Sequence, residues 1–335
     1  LPLLRGLRVA VVGTGSVGGR IALLLARLGI GVLMLVDPKR YKAASLLTHE
    51  VGPRSVGRPK ALEIGSRCKE ISPATRVFAW VGSVEALDGD ALADMDLVVM
   101  APDRLSVEVV LAQRCRHLGQ PLLQAAVHGE TLTVQIRFCG NADPQGCCAA
   151  CFLGPDEWRL VSQQARFSCE GAAGAAAPAA AGVPDLHVAP ATNSFANLCS
   201  LAADLAVNQE LRHVLQLGEP VTDTLLEYCG YTNRTVVSGL ARNSACPIDH
   251  ITYRRLDAHE PLERLSLRAL AQTATGGAVG EETVFEVGGL DWVESGACRC
   301  AQPALVRRFR PRQGGRVVRC PKCAAPVVPL QFYTL

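Results

Sequence analysis

Cysteine and histidine residues at metal-binding spacing are the clearest chemical signal in this chain. Fourteen of its 335 residues are cysteine. Cys148 and Cys151 form one Cys-x-x-Cys pair, and Cys246 and His250 follow much later in the chain. Zn²⁺ binds thiolates and imidazole with tetrahedral geometry, so these four residues predict a closed structural zinc site. Asp249 is the alternative fourth ligand, and a buried Cys246 thiol without metal is the alternative to the site itself.

A second set of cysteines predicts another zinc site near the C-terminus. Cys298 and Cys300 are separated by one residue, and Cys320 and Cys323 repeat the Cys-x-x-Cys spacing. A glycine pair at 314–315 lies between the two pairs, as the turn of a zinc-ribbon hairpin would. The opening residues do not have the pattern of a signal peptide. We therefore expect a reducing, cytoplasmic environment in which such clusters bind metal rather than form disulfides.

A glycine-rich turn predicts nucleotide binding. Gly13, Gly15 and Gly18 fit the pattern G-x-G-x-x-G between an apolar strand and a helical segment. The first glycine permits a tight turn, the second lets the backbone approach a phosphate, and the third allows close packing of helix on strand. Asp37 ends the next strand, where its carboxylate can accept hydrogen bonds from ribose hydroxyls. The motif does not separate ATP from a dinucleotide, and glycines used only for packing are the alternative.

The elements that must position these residues alternate between strands and helices. Apolar runs bounded by turn residues predict strands, and apolar residues at helical spacing predict helices. The alternation indicates a Rossmann-like, mostly parallel α/β sheet, and the segment 130–138 indicates an antiparallel extension. The predicted strands are 8–12, 32–36, 75–80, 96–101, 121–125 and two within 221–238, and the predicted helices are one after Gly18, then 59–71, 105–117, 193–217 and 262–271.

Composition and charge limit the domain organisation and the partners. We expect an α/β domain over residues 1–255 and a C-terminal extension with a zinc-ribbon-like module over 256–335. Ala, Gly and Pro dominate residues 171–184, which predicts a mobile loop near 160–192. The net charge of +3 is too small to indicate a nucleic-acid partner, and no apolar run is long enough to predict a membrane span.

Five motifs occur in an order that is typical of one enzyme superfamily. They are GTGSVGG with VLMLVD, VGRPKA at 56–61, APD at 101–103, GCCAACF at 146–152 and ACPIDH at 245–250. Together they resemble the ThiF/MoeB/ubiquitin-activating-enzyme (E1-like) superfamily, over roughly residues 5 to 252. The C-terminal module lies outside this resemblance.

The resemblance implies adenylation chemistry. The family uses ATP to activate the C-terminal carboxylate of a ubiquitin-like β-grasp protein. On this basis the three glycines approach ATP, Asp37 holds its ribose, Lys60 offsets charge on its phosphates, and Asp103 binds Mg²⁺. A homodimer is expected, as is transfer of the activated protein to a ubiquitin-conjugating-enzyme-like partner.

One departure from the family pattern affects the nucleotide site. The family usually carries an Asn and an Arg shortly after the ribose aspartate. In this chain Ser45 stands near the Asn position and Thr48 near the Arg position. Arg40, Lys42, His49 or a residue of a partner chain are the candidate substitutes. The alternative is a weakened site or a pseudoenzyme.

Cys169 is the expected nucleophile for a thioester step. It follows the first zinc knuckle and precedes the Ala/Gly-rich loop, where the family places its mobile cysteine. A thioester cysteine must be accessible and free of metal, and Arg166 nearby favours the thiolate. Cys147 is the weaker rival. The remaining thiols are expected in the core, at positions 68, 115, 139, 199 and 229.

The predicted activity is ATP-dependent adenylation of a ubiquitin-like protein, followed by thioester formation for conjugation. A sulfur-carrier adenylyltransferase is one alternative, and a non-catalytic scaffold that binds a ubiquitin-like protein is another. An NAD-dependent oxidoreductase is compatible with Asp37, but it explains neither zinc site nor VGRPKA.

Overall fold

The chain divides into two compact units, Leu1–Tyr253 and Arg254–Leu335. The structure is a computed structural model that describes residues 2–87, 89–162, 194–253, 266–277, 280, 290–298, 300–311, 319–320, 322–325 and 328–334. The loop predicted near 160–192 lies outside these residues from position 163 onward.

An eight-stranded mixed sheet forms the centre of the first unit. Its strands lie in the order β3-β2-β1-β4-β5-β6-β7-β8. Pairing is parallel from β3 to β5 and antiparallel from β5 to β8, which confirms the predicted Rossmann-like sheet with an antiparallel extension. The strands are β1 (Arg8–Val12), β2 (Val32–Val36), β3 (Arg76–Trp80), β4 (Leu97–Met100), β5 (Leu122–His128), β6 (Thr133–Cys139), β7 (Thr224–Cys229) and β8 (Arg234–Gly239).

Seven helices accompany this sheet in the part of the first unit that is described. Helix α2 follows the glycine turn and ends at Leu28, because Gly29 adopts a left-handed φ of 73° and caps its last carbonyls. Short 3₁₀ turns shape the loop after β2, at Ala43–Leu47 and Pro53–Ser55. The helices are α1 (Pro2–Gly6), α2 (Ser16–Leu28), α3 (Lys60–Ile71), α4 (Gly89–Ala93), α5 (Leu105–Leu118), α6 (Pro155–Ser162) and α7 (Ala196–Leu215).

Apolar side chains are buried on both faces of the parallel strands. Alternate residues of a strand point to opposite faces, so Val9 and Val11 enter one core and Ala10 and Val12 enter the other. Helices α2, α3 and α7 supply the first core, and α5 with the Cys148 knuckle supplies the second. Burial on both faces explains why these strands are continuous apolar runs in the sequence.

The second unit contains one described helix and a three-stranded antiparallel sheet. Helix α8 (Leu267–Thr275) begins and ends later than the predicted 262–271, because the Ser266 hydroxyl accepts the Ala269 N–H at 3.1 Å and Gly276 caps the end. Strands β9 (Leu290–Cys298), β10 (Ala301–Pro311) and β11 (Val328–Thr334) lie in the order β10-β9-β11. Among the described helices of the whole chain, none combines the length and apolar character that crossing a bilayer requires.

Candidate nucleotide and metal sites

The glycine turn lies where the carboxyl ends of β1, β2 and β4 meet. Gly13 has a φ of +90°, and a Cβ added there would lie 2.4 Å from the carbonyl oxygen of Ala101. A Cβ on Gly18 would lie 1.9 Å from the carbonyl oxygen of Gly13. Both distances are far below contact distance to backbone atoms that have no room to move. Packing of the turn itself therefore requires glycine at positions 13 and 18.

Gly15 is under a different constraint. The nearest atom to a Cβ added there is Nε2 of His49 at 3.6 Å, which is an ordinary van der Waals contact. Gly15 is also the N-cap of α2, and it carries no side chain to satisfy the first N–H groups of the helix. The N-terminus of a helix attracts anions through these groups and the helix dipole. The front of the turn is thus open to a phosphate, as the second glycine of the motif predicts.

Asp37 connects the end of β2 to the glycine turn. One of its carboxylate oxygens accepts the N–H of Thr14 at 2.8 Å, and the other accepts the N–H of Lys39 at 2.8 Å. Asp37 is buried and also accepts the Thr14 hydroxyl at 3.2 Å, so of the about four lone-pair positions of the carboxylate one remains for a ribose hydroxyl. The Tyr41 hydroxyl donates to the Thr14 carbonyl at 3.3 Å, and burial next to Asp37 raises the pKa of Tyr41.

Lys60 lies beside the open face of the turn. Its backbone N–H donates to the Lys39 carbonyl at 2.9 Å, which fixes the start of α3 against the end of β2. Its Nζ lies 3.2 Å from Nε2 of His49 and 5.5 Å from the centre of the Tyr41 ring. His49 in turn contacts the Thr48 hydroxyl through Nδ1 at 3.0 Å. The structure therefore places two basic side chains near Gly15.

The candidates to replace the missing Asn and Arg differ in where the structure places their side chains. Ser45 is buried inside a 3₁₀ turn, where its hydroxyl accepts the backbone N–H of Lys42 at 3.1 Å. Arg40 donates to the Gly57 carbonyl at 2.8 Å. Of the three basic residues proposed as substitutes, His49 is the one that the structure shows next to the glycine turn. Its Nε2 lies 3.6 Å from a Cβ added at Gly15 and 3.2 Å from Nζ of Lys60.

Asp103 follows β4 and forms an ion pair with Lys39, which follows β2. The pair spans the end of β1, because β2 and β4 are the two neighbours of that strand. This is the position where the strand order reverses and where open α/β sheets bind their ligands. Lys39 was not predicted as a site residue, although its place two residues after Asp37 was available as a signal.

A polar network couples the helix after Asp103 to the antiparallel strands. Gln124 on β5 donates to the Glu108 carboxylate at 2.7 Å and accepts from Arg137 at 2.6 Å. Burial raises the pKa of Glu108 to about 7, although Arg137 and the Gln124 hydrogen bond oppose the rise. The Arg137 guanidinium stacks over the Phe152 ring at 4.9 Å, next to the first cysteine knuckle.

The first metal cluster brings together all four of its predicted ligands. The ligand atoms of Cys148, Cys151, Cys246 and His250 lie within 4.8 Å of one another. The Sγ of Cys148 lies 3.8 Å from the Sγ atoms of Cys151 and Cys246, and 3.5 Å from His250 Nε2. With Zn–S near 2.3 Å and Zn–N near 2.05 Å, a tetrahedral ion separates two sulfurs by about 3.8 Å and sulfur from nitrogen by about 3.6 Å. The donor set and its spacing fit one zinc ion.

His250 is oriented for this role by the groups behind it. Its Nδ1 lies 3.2 Å from the Gly146 carbonyl, so Nδ1 carries the proton and Nε2 presents its lone pair to the thiols. Arg116 is fully buried and donates to the His250 carbonyl at 3.3 Å and to the Asn141 carbonyl at 3.1 Å. The rival ligand Asp249 instead accepts from His117 at 2.9 Å, outside the cluster. No spacing in the sequence marked Arg116, which lies on α5.

Hydrogen bonding between the sulfurs polarises the first cluster. The Cys148 thiol donates to Cys151, which lowers the pKa of Cys151 to about 5 and raises that of Cys148. Burial raises the pKa of Cys246. One thiolate is thus favoured in the protein alone, and a divalent cation supplies the charge that stabilises the other two.

The second cluster assembles three of its four predicted ligands within the described residues. The ligand atoms of Cys300, Cys320 and Cys323 lie within 4.8 Å of one another, and the sulfurs of Cys300 and Cys320 are 3.5 Å apart. The Ala324 N–H donates to the Cys320 carbonyl at 2.9 Å and closes the knuckle. Cys298 ends β9, and its side chain is not among those described, so its role as the fourth ligand stays a prediction.

The predicted nucleophile Cys169 lies outside the described residues, as does Arg166. The rival Cys147 is buried, with its sulfur 3.9 Å from that of Cys139 and 3.3 Å from an oxygen of Asp223. The thiols at 68, 115, 139 and 199 are buried as predicted. Cys229 was also expected in the core, but it is only partly buried, because it ends β7 at a hairpin. Hydrogen bonds from Thr232 lower the pKa of its thiol.

The parallel strands β3-β2-β1-β4-β5, with a glycine-rich turn where the strand order reverses, place the first unit in the Rossmann-like class of α/β folds. Within this class, the sequence model of the ThiF family matches residues 3–248, so the chain belongs to the ThiF family. The match confirms the resemblance inferred from the five motifs.

Curated relatives carry activating or adenylating functions in their names. The SAMP-activating enzyme E1 of Haloferax volcanii is 29% identical over 151 residues, which cover 44% of this chain and 53% of that protein. Ubiquitin-like modifier-activating enzyme 5 of Oryza sativa is 24% identical over 246 residues, which cover 69% of this chain and 52% of that protein. Adenylyltransferase and sulfurtransferase MOCS3-2 of Zea mays is 29% identical over 123 residues, which cover 36% of this chain and 26% of that protein. The chain thus spans about half or less of the length of these relatives.

Two solved structures share the fold. Escherichia coli MccB with ATP aligns with a TM-score of 0.56 at 16% identity, covering 74% of this chain and 67% of that chain. PaaA aligns with a TM-score of 0.52 at 15% identity, covering 72% of this chain and 66% of that chain. At this identity the likeness concerns the fold alone.

Proposed function

We propose that this ThiF-family protein uses ATP to adenylate the C-terminal carboxylate of a ubiquitin-like β-grasp protein. The observation that carries the proposal is the open front of the glycine turn at Gly15, with Lys60 and His49 beside it. One curated relative is named as a SAMP-activating enzyme E1 and another as a ubiquitin-like modifier-activating enzyme. The protein is proposed to act in the cytoplasm as a homodimer.

The residues at the switch point are suited to this reaction. The carrier carboxylate attacks the α-phosphate of ATP, a new C–O–P bond forms, and pyrophosphate leaves. Two anions must approach each other in this step, so positive charge near the phosphates lowers the barrier. Lys60 supplies that charge beside Gly15, His49 accepts a hydrogen bond from its ammonium group, and Asp37 holds the ribose.

Asp103 is proposed to bind the Mg²⁺ that accompanies ATP. A carboxylate is the ligand type that this hard cation prefers. In the protein alone, Lys39 neutralises Asp103 and so lowers the cost of a carboxylate at the site. On binding of the metal, Lys39 is expected to exchange Asp103 for a phosphate oxygen.

A thioester at Cys169 is proposed as the second step. The acyl-adenylate is a mixed anhydride, and a thiolate displaces AMP from it to give a thioester. The acyl group then passes to the thiol of a ubiquitin-conjugating-enzyme-like partner. Zinc in the two cysteine clusters is assigned a structural role, because four protein ligands leave no position for a substrate.

Two observations favour other functions within the family. The maize relative is named as an adenylyltransferase and sulfurtransferase, which favours activation of a sulfur carrier without a protein thioester. Ser45 and Thr48 at the Asn and Arg positions favour a scaffold that retains the fold and binds the carrier without catalysis.

Pyrophosphate exchange tests the adenylation step. Full-length protein and a β-grasp carrier co-purified from native cells should exchange labelled pyrophosphate into ATP. Asp103→Asn should reduce the rate at least a hundredfold, because it removes the metal ligand. Asp156→Asn, a change at an exposed carboxylate on α6, is the matched control and should leave the rate unchanged. Lack of exchange by the folded wild-type protein would favour the scaffold.

Reducible adducts test the thioester step. Cys169→Ala should preserve pyrophosphate exchange and abolish any carrier adduct that a reducing agent releases. An adduct that survives in Cys169→Ala and disappears in Cys147→Ala would identify the rival thiol. If neither substitution changes the products, the protein stops at the adenylate and the sulfur-carrier function is favoured.

A further inference from the structure

Strand β3 forms one edge of the eight-stranded sheet and carries exposed aromatic side chains. Phe78 is 49% exposed and Trp80 is 42% exposed, and the Arg76 guanidinium lies 5.6 Å from the centre of the Phe78 ring. These three residues alternate along the strand, so they share one face of it. Met34, which pairs with Phe78 from β2, is only partly buried, so the apolar surface continues onto the sheet. Exposed apolar side chains that adjoin one another mark an interaction surface.

The outer edge of β3 also offers backbone groups. The Arg76 N–H donates to the residue before β2 at 2.9 Å, and the Trp80 carbonyl accepts the N–H of the residue after β2 at 3.1 Å. Successive residues of a strand direct their N–H and C=O groups to opposite edges, so those of Val77 and Ala79 point away from β2. In the described part of the chain, β2 is the one strand that pairs with β3. An open groove of about 470 Å³ borders Val77 and Phe78 at this edge, so another strand has room to approach.

The order of side chains on β3 is complementary to itself when two copies run antiparallel. With a two-fold axis at Phe78, the two copies of this ring lie opposite each other in a non-hydrogen-bonded pair, where cross-strand side chains are closest. Arg76 of each copy then lies opposite Trp80 of the other, and a guanidinium group over an indole face is an attractive cation–π pair. Val77 of each copy exchanges its backbone hydrogen bonds with Ala79 of the other. One register thus satisfies both the edge and the exposed face.

We propose that two copies of this chain associate by antiparallel pairing of β3 with β3. A strand of unrelated sequence could bond the backbone of Val77 and Ala79, but a second copy also supplies an aromatic ring opposite Phe78 and another opposite Arg76. Such a self-complementary contact is the kind that two-fold symmetry requires of a homodimer. The pairing also covers a strand edge that would otherwise template aggregation. The inference rests on the proposed function only for the expectation of a homodimer, and it needs no adenylation chemistry.

Light scattering on the full-length protein after size-exclusion chromatography tests the proposal. Wild type should run as an assembly, and Phe78→Glu should halve its mass, because two carboxylates would face each other at the axis. Val236→Glu, at a 56% exposed valine on the opposite edge strand β8, is the matched control and should leave the mass unchanged. Wild-type protein at the mass of one chain, an unchanged mass in Phe78→Glu, or a mass halved by Val236→Glu instead would each overturn the proposal. Pyrophosphate exchange by such a protein would leave the adenylation proposal standing, and a dimer through β3 without exchange would count against adenylation alone.

A cysteine at the axis tests the register by a covalent link. Opposite residues of a non-hydrogen-bonded pair have Cα atoms about 4.5 Å apart, within the range that a disulfide spans. Phe78→Cys should therefore form a disulfide-linked dimer under mild oxidation that wild type does not form. Arg76→Cys is the matched control and should not cross-link, because the two copies of residue 76 are separated by about 13 Å along the paired strands. An equal yield in both variants, or none in Phe78→Cys, would overturn the proposal, and this result stands even if Phe78→Glu does not fold.

Discussion

Substitution of single glycines in the turn separates its packing role from its nucleotide role. Gly18→Ala would place a Cβ 1.9 Å from the Gly13 carbonyl oxygen, in the interior of the turn. Overpacking of a rigid site costs about 1–3 kcal/mol, and a clash with backbone lies at the upper end of that range. Gly15→Ala meets only the His49 imidazole at 3.6 Å, so its cost in stability should stay within about 1 kcal/mol.

The two variants should therefore show opposite defects. Gly15→Ala should fold like wild type by urea denaturation, but its methyl group occupies the space in which a phosphate approaches the turn. We expect ATP affinity, measured by calorimetry, to fall at least tenfold, which corresponds to about 1.4 kcal/mol. Gly18→Ala should lose stability, with any loss of ATP binding following from unfolding.

A third glycine serves as the control. Gly52 has a φ of −108° and no atom within 4 Å of an added Cβ, so Gly52→Ala should change neither quantity. Unchanged ATP affinity in Gly15→Ala would refute the phosphate role of the open turn. Wild-type stability in Gly18→Ala would refute the packing argument.

Three further predictions concern groups away from the turn. Elemental analysis should find two zinc ions per chain, and Cys246→Ser should reduce this to one. Arg116→Met leaves two buried carbonyls without donors, so urea denaturation should show a loss of about 2–4 kcal/mol and faster loss of zinc to a chelator. The pKa of Glu210 on α7, which burial raises to about 8, gives stability that is present below about pH 4.5 and is lost as pH rises through about 8. Above pH 8, Glu210→Gln should therefore be more stable than wild type, by up to about 5 kcal/mol.

Apolar patterning was sufficient to predict most of the sheet. The strand residues 8–12 and 32–36 were predicted at their observed limits, because buried parallel strands are apolar on both faces and end at Gly13 and Asp37. The predicted helix 262–271 was displaced toward the N-terminus, since the cap at Ser266 is a stronger start signal than the apolar spacing.

Contacts between residues distant in sequence could not be predicted in the same way. The cysteine spacing predicted Cys148, Cys151 and Cys246 as neighbours, because the motif itself encodes a common ligand. Nothing in the sequence indicated that Arg116 would hold the carbonyl of a residue 134 positions later. Such a contact depends on how α5 packs beside the knuckle, which is a property of the folded core.

The departure from the family pattern after Asp37 is another feature that the sequence raises and only the folded structure explains. Sequence comparison by position assigns Ser45 and Thr48 to the missing Asn and Arg, and neither residue can carry a positive charge. In the structure, Thr48 instead supports Nδ1 of His49, whose Nε2 lies between Gly15 and Lys60. When the Lys60 ammonium donates to Nε2, that nitrogen is an acceptor and the imidazole is neutral. The ammonium group has three donors, so Lys60 can hold Nε2 and still offer hydrogen bonds and its charge to a phosphate in front of Gly15.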